Sequence, residues 1–338
     1  MLNSLVNLMK KMCFFALALS LSTVCAHGTF IEKSGFLKCF DVENLPRTES
    51  PGRYNYCETS AVSFDGSKLI FANDKPISGD HRSPVFSLAL GELDAIPTYY
   101  TQSIFKNAVK YEDSAITPDG QYFIANTGFD RIKARSKDEY NTIVFWPVNN
   151  PEDVKVANPT LRGNVLSSLS LREAFQSVLH VPYYKVEGMT VISENKMLFG
   201  IRELGASDEN FKYAALIIEA DYKISRDALT ISNLKIAYDF TDLAQTTIGK
   251  PVGLSSLEFN HFNQKLYITT SFEVGGLGAH LWVTSLDAGF APETIFAFDH
   301  KIEGIAALSA DKLFVIADDD DVDNRKKNEA YYAILDLH

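Results

Sequence analysis

One pattern occurs five times along the chain, and it constrains the fold more than any other feature of the sequence. A short apolar strand, a tight polar turn and a second apolar strand read CETSAVSFDGSKLIFAND from Cys57, YEDSAITPDGQYFIANT from Tyr111 and VEGMTVISENKMLFGIR from Val186. The pattern returns as LSSLEFNHFNQKLYITTS from Leu254 and IEGIAALSADKLFVIAD from Ile302. Asp65-Gly66, Asp119-Gly120 and Glu194-Asn195 are hairpin signals between alternating apolar runs. Further strand-like runs follow each hairpin, at 84–90 and 97–102, 141–147 and 153–157, 213–220 and 234–240, and 280–286 and 293–298. The fifth hairpin has only 330–335 behind it. Four short antiparallel strands recurring every ~60 residues make the blade of a β-propeller, and such units must stack on one another to bury both faces. The expected fold is therefore all-β: five four-stranded blades in one domain over 27–338.

The fifth unit is one strand short, and an unassigned strand lies at 29–40. Pairing the two closes the ring and leaves no open edge. The segment 158–184 keeps a sixth, degenerate blade open as the alternative. It also carries Ser170-Leu171-Arg172-Glu173, a capping-box pattern, with Leu171, Phe175 and Leu179 at helical spacing, which predicts a short helix on the rim.

Residues 1–26 read as a signal peptide. Lys10 and Lys11 precede an apolar run at 12–24, and Val24-Cys25-Ala26 supplies small residues where a signal peptidase reads. The run is shorter than the ~20 residues a membrane span needs. A buried N-terminal helix and lipidation at Cys25 are the alternatives. Export to the periplasm or the exterior makes Cys39 and Cys57, the cysteines left in the mature chain, a disulfide rather than a metal or redox site, with two buried thiols as the other reading. The net charge of −11 argues against nucleic acid or an anionic membrane surface as a partner.

Aligned on their turns, the hairpins put Glu58, Glu112, Glu187 and Glu303 at the start of the innermost strand, with Ser255 in the fourth blade. At the end of the partner strand stand Asp74, Thr127, Arg202, Ser271 and Asp318. Both series fall on one end of the channel, as an acidic funnel. Lys110, Lys185 and Lys301 each precede a ring glutamate by two residues, so strand alternation sets each Lys beside its Glu. Converging carboxylates call for a cation or for neighbouring bases. Oxygen-only ligands from Glu58, Glu112, Glu187, Glu303 and Asp318 suit Ca²⁺. The opposing reading is that these residues tie neighbouring blades together. The run Asp318-Asp319-Asp320-Asp321, with Asp323 and Asn324, lacks the glycine and the terminal glutamate of an EF-hand loop and reads as a solvated loop or a Ca²⁺ loop. No GxSxG elbow, HExxH or phosphate loop is present, and His300 is the one histidine close to a ring glutamate.

Val186-Glu187-Gly188-Met189-Thr190 with Leu198-Phe199-Gly200-Ile201-Arg202 resembles the EGL…GxR blade of the phytase-like esterase family and its uncharacterised bacterial propeller relatives. Lys301-Ile302-Glu303-Gly304-Ile305 with 318–321, and Tyr111-Glu112-Asp113 with Asn126-Thr127-Gly128, are similar to other blades of that group. The resemblance implies an exported propeller acting as a Ca²⁺-dependent esterase or phosphoesterase, although Ser255 departs from the repeating glutamate.

Two functions follow. In one, the chain is a binding or interaction propeller that takes a small-molecule or protein ligand at the channel mouth, with Glu58, Asp74, Glu112, Thr127, Ser271, Lys185 and Lys301 as its contacts. In the other, it is a hydrolase in which Glu187, Arg202 and Glu303 are catalytic and a bound Ca²⁺ activates water or polarises the substrate. The sequence favours the first, because no complete nucleophile-and-base constellation can be assembled from it.

Overall fold

A computed structural model describes residues 28–48, 52–130, 138–225, 228–287, 289–319 and 325–338. The expected leader at 1–26 and Asp320, Asp321, Asp323 and Asn324 of the acidic run lie outside the described residues. Strand β1 (Phe30–Lys38) comes first, followed by the first blade: β2 (Thr59–Phe64), β3 (Lys68–Asn73), β4 (Val85–Ala89) and β5 (Thr98–Tyr99). Helix α1 (Ser103–Asn107) leads to the second blade, β6 (Tyr111–Ile116), β7 (Tyr122–Thr127), β8 (Ile143–Pro147) and β9 (Lys155–Val156). A two-stranded hairpin, β10 (Thr160–Arg162) and β11 (Val165–Ser167), and helix α2 (Leu169–Leu179) precede the third blade. That blade consists of β12 (Tyr183–Ser193), β13 (Lys196–Ser207), β14 (Asn210–Ser225) and β15 (Ala228–Asp239). Helix α3 (Thr241–Ile248) then leads to the fourth, β16 (Gly253–Asn260), β17 (Lys265–Phe272), β18 (Gly278–Ser285) and β19 (Glu293–Phe298). The fifth contributes β20 (Ile302–Ala307), β21 (Lys312–Ala317) and β22 (Glu329–Asp336).

Its fourth strand is β1, which pairs antiparallel with β22 from Phe30↔Asp336 to Lys38↔Glu329. Innermost strands β2, β6, β12, β16 and β20 pack in that order, and β20 returns onto β2, so the ring closes at five blades. The Cys39–Cys57 disulfide joins the end of β1 to the approach of β2. On either side of it, Cys39 N donates to Asn328 O at 2.9 Å and Cys57 N to Lys327 O at 2.7 Å. Closure thus rests on a ladder, a covalent bridge and two main-chain bonds.

Burial explains why the blades stack. Five apolar clusters each fill one blade-to-blade interface: Phe105, Phe123 and Trp146 between the first and second, Phe145, Phe199 and Met189 between the second and third, and Ile217, Leu257 and Trp282 between the third and fourth. Leu281, Ile305 and Val315 fill the next, and Phe71, Phe86 and Phe314 the last. Gly200 serves the third interface: a Cβ there would stand 2.1 Å from Leu254 Cδ2 of the fourth blade.

The segment 158–184 supplies β10, β11 and α2 and no sixth blade. The expected helix is present, but it starts at Leu169, with Ser168 as N-cap residue, two positions before the expected capping serine. Ser168 Oγ is taken up elsewhere, donating to Ala157 O at 2.6 Å and accepting Ile143 N at 3.0 Å. Leu171, Phe175 and Leu179 are buried as their spacing implies, and Phe175 meets Phe199 edge-on at 5.1 Å. No helix among the described residues is long and apolar enough to cross a membrane.

Candidate functional site

Each innermost hairpin carries a β-bulge at the same place, and the bulge decides which residues are equivalent. Pairing steps from Thr59 to Ala61, Tyr111 to Asp113, Val186 to Gly188, Leu254 to Ser256 and Ile302 to Gly304. The residues stepped over are Ser60, Glu112, Glu187, Ser255 and Glu303. A bulge re-aims the extra side chain and breaks the regular pairing locally, so these five form the true ring.

Glu58 is not a member of that ring. It lies across from Asp74, whose N–H it accepts at 2.6 Å, in the register that Lys110, Lys185 and Lys301 occupy in their own blades. The expectation of four ring glutamates is therefore corrected to three glutamates and two serines. The first turn closes from Asp65 N to Lys68 O, whereas the second closes from Thr117 N to Tyr122 O and is two residues longer. Matching the Asp-Gly pairs slid the first blade by two.

The ring residues sit in a belt of alternating charge. Lys75 bridges Glu58, at 2.9 Å, and Asp74. Lys110 Nζ is 2.7 Å from Glu112 and 3.5 Å from Asp130. Lys185 pairs with Glu187 and reaches Glu112 at 3.5 Å. Arg202 lies 3.9 Å from Glu187 and 3.2 Å from Glu273, and donates to Ser271 Oγ at 2.6 Å. Lys301 joins Glu273, at 3.1 Å, to Glu303, at 2.9 Å. Ser60 Oγ donates to Glu303 at 3.1 Å and brings the belt back to the first blade. Thr127 is engaged within its own blade, donating to Tyr140 O and accepting Thr142 N. His300 Nδ1 is 2.6 Å from Asp319, with its ring stacked on Tyr331.

The electrostatics follow from burial set against these pairings. Burial pushes Glu187 up, but Lys185 and Arg202 hold it down to about 2. Asp74 is likewise raised by burial and brought down to about 2 by Lys110 and Lys75. Burial and the Glu187 carboxylate push Glu112 up to about 8, against the pull of Lys110 and Lys185. Two carboxyls driven apart in this way resemble an acid and base pair. Glu112 and Glu187, however, are only 2% and 0% exposed, which keeps a substrate from reaching them.

Below the belt lies a residue that the turn-based alignment missed. Asp113 Oδ2 accepts Met189 N at 2.9 Å from the third blade and Leu257 N and Ser256 Oγ at 3.0 Å from the fourth, while Oδ1 accepts Ser114 N. Burial pushes this carboxyl well up. Its equivalents are Ala61, Gly188, Ser256 and Gly304, so one acid in a column of small residues was the available signal. Lys75 and Glu273, just past the second strand of their hairpins, were missed as well.

Among the described residues, one carboxylate group brings its oxygens within 4.8 Å of one another: Glu58, Asp74 and Asp318. Glu112, Glu187 and Glu303 stand apart from it in the belt. Three carboxylates are the donor class of a hard cation and a fraction of the six to eight oxygens Ca²⁺ takes. The Lys75 ammonium competes for two of them.

A cavity lies on the rim at the same end. It holds about 610 Å³ between the third and fourth blades, lined by Tyr213, Phe240, Leu243 and Phe290 with Lys212 and Asp239. Tyr213 is also the ring over which the Arg202 guanidinium sits, at 5.4 Å.

No family model matches the chain, and no curated protein matches it. Solved structures similar to it include a member of the DUF4221 family from Bacteroides vulgatus, with 9% identity, TM-score 0.41, and coverage of 91% of this chain and 98% of the other. A protein of unknown function from Dyadobacter fermentans has 8% identity, TM-score 0.45, and coverage of 92% and 100%. The PQQ-bound aldose sugar dehydrogenase of Streptomyces coelicolor has 9% identity, TM-score 0.40, and coverage of 90% and 98%. None of these supports the resemblance to phytase-like esterases.

Proposed function

We propose that the chain is an exported binding propeller, periplasmic or secreted, that takes its ligand at the charged end. The observation that carries this reading is the division of labour there. The ring carboxylates and Arg202 are buried and neutralise one another, whereas the adjoining cleft of about 610 Å³ is open and walled by aromatic side chains. That volume falls in the ~300–1,000 Å³ range of small-molecule sites, which are mostly apolar with a few polar groups. Arg202 and the belt set the position of the Tyr213 wall, and Lys212 and Asp239 supply the polar contacts. The disulfide fits a compartment outside the cytoplasm.

A second reading rests on the Glu58, Asp74 and Asp318 group. A Ca²⁺ held there by displacing Lys75 would supply Lewis-acid chemistry for ester hydrolysis. Glu187, Arg202 and Glu303 would then support the site from behind rather than touch substrate. A panel of carboxylate and phosphate monoesters, assayed with Ca²⁺ and with a chelator, separates the two. The binding reading expects no turnover in either condition. Chelator-sensitive turnover lost in Asp74→Asn would replace it with the second.

A further inference from the structure

The opposite mouth of the channel is built for a different chemistry. There the inner hairpins leave a cavity of about 220 Å³ to which all five blades contribute, among them Phe64, Ile116, Thr190, Glu258, Phe262 and Ala307. Among the described residues, Glu258 is the only acid in its wall, and no lysine or arginine lines it. One Glu258 oxygen accepts Ala307 N at 2.8 Å. His261, the other titratable group there, has Nε2 3.0 Å from Val191 O. A carbonyl can only accept, so that nitrogen carries the proton, and burial pushes the ring's pKa down. The contrast with the charged end is complete: each ring carboxylate there has an ammonium or guanidinium partner, and Glu258 has a backbone amide.

Phe64, Phe259 and Phe262 line the same cavity. Phe262 is 68% exposed, in the turn between β16 and β17. A carboxylate in a cavity with aromatic side chains in its wall is the combination that recognises an organic cation, through an ion pair and through the negative faces of the rings. We infer that this mouth binds a small organic ammonium, its N–H groups on Glu258 and its apolar stem against Phe259 and Phe262. The cavity is smaller than the ~300 Å³ lower bound of drug-sized sites, so the ligand is of fragment size. This site is separate from the cleft at the charged end and does not depend on the reading given to it.

Burial pushes Glu258 up to about 8, with the Ala307 N–H pulling the other way. At neutral pH the free site is therefore mostly protonated, and an ammonium selects the carboxylate form. Binding then releases close to one proton, and affinity rises about tenfold per pH unit below that value.

Calorimetry with benzylamine on the intact protein, in two buffers of different ionisation enthalpy, tests this. The expected results are a dissociation constant that falls close to tenfold from about pH 6 to about pH 7, release of roughly one proton, and at least about tenfold weaker binding of benzyl alcohol. Glu258→Gln should remove the pH dependence, and Phe262→Ala, at an exposed position, should weaken binding several-fold (~3–5) while keeping it. Equal binding of amine and alcohol, no saturable binding of benzylamine, or Glu258→Gln with unchanged affinity and pH slope overturns the inference. Should Glu258→Gln fail to fold, the alcohol comparison and the pH series on the unaltered protein decide alone.

Discussion

Replacing Asp113 by alanine should be among the most damaging single substitutions in the domain, although the residue lines neither of the two cavities described above. Its carboxyl accepts two main-chain N–H groups, Met189 and Leu257, and the Ser256 hydroxyl, all from neighbouring blades. Met189 and Leu257 are fully buried, so water cannot replace the lost acceptor. Each orphaned buried donor costs about 1–3 kcal/mol, which gives about 2–6 kcal/mol for the two amides before the serine is counted. At ~2–4 °C per kcal/mol for a large domain, the melting temperature should fall by about 10 °C. Asparagine separates geometry from charge. Its oxygen can take the place of Oδ2 and keep all three inter-blade bonds, which leaves its amide against Ser114 N, a single donor–donor contact worth about 1–3 kcal/mol. Because burial already disfavours the charged form of Asp113, neutrality itself carries no penalty. Urea unfolding followed by tryptophan fluorescence would rank the variants, with Trp282 of the fourth blade as a buried reporter. Asp113→Ala within about 1 kcal/mol of the parent, or Asp113→Asn as damaging as alanine, would refute the acceptor argument.

Removing one member of the belt should cost more than removing a pair. Lys301→Met leaves Glu273 and Glu303 without a shared cation and should destabilise by about 3–5 kcal/mol, with part of this recovered in Lys301→Met/Glu303→Gln on the same urea axis. Cys57→Ser should lower stability by about 3 kcal/mol, since the bridge closes a loop with a sequence separation of 18, and reduction of the parent protein should match it. The folded-state pKa of Glu258, about 8, stands above its ordinary 4.5. The parent protein should therefore lose stability through this group as pH climbs between those values. The melting temperature of Glu258→Gln relative to the parent should rise from about pH 5 to about pH 8, and a constant difference would count against it.

The propeller was legible because its signals are local. Alternating apolar runs and turn residues mark the hairpins, and the missing fourth strand of the last blade was matched by β1, with Cys39 and Cys57 placed to staple it. Strand lengths were less legible: β14 and β15 run well past the apolar runs at 213–220 and 234–240, because the third blade projects half-exposed ladders beyond the core. The site was harder still, since it depends on register. A difference of two residues between the turns at Asp65 and Thr117 exchanged the places of Glu58 and Ser60. Glu112, Glu187 and Glu303 were placed in the ring. Whether a carboxylate is a ligand or a tie depends on which cation reaches it, and Glu273 and Lys75 come from loops that the repeat does not cover.

The charged end is tied together by paired side chains, each ring glutamate on a lysine. A crystal structure from Ca²⁺-soaked crystals would show whether those pairs persist beside the ion. Lys110, Lys185 and Lys301 should be ordered on Glu112, Glu187 and Glu303, with any ion confined to Glu58, Asp74 and Asp318. A Ca²⁺ coordinated by Glu112, Glu187 or Glu303, with the lysines displaced, would contradict it.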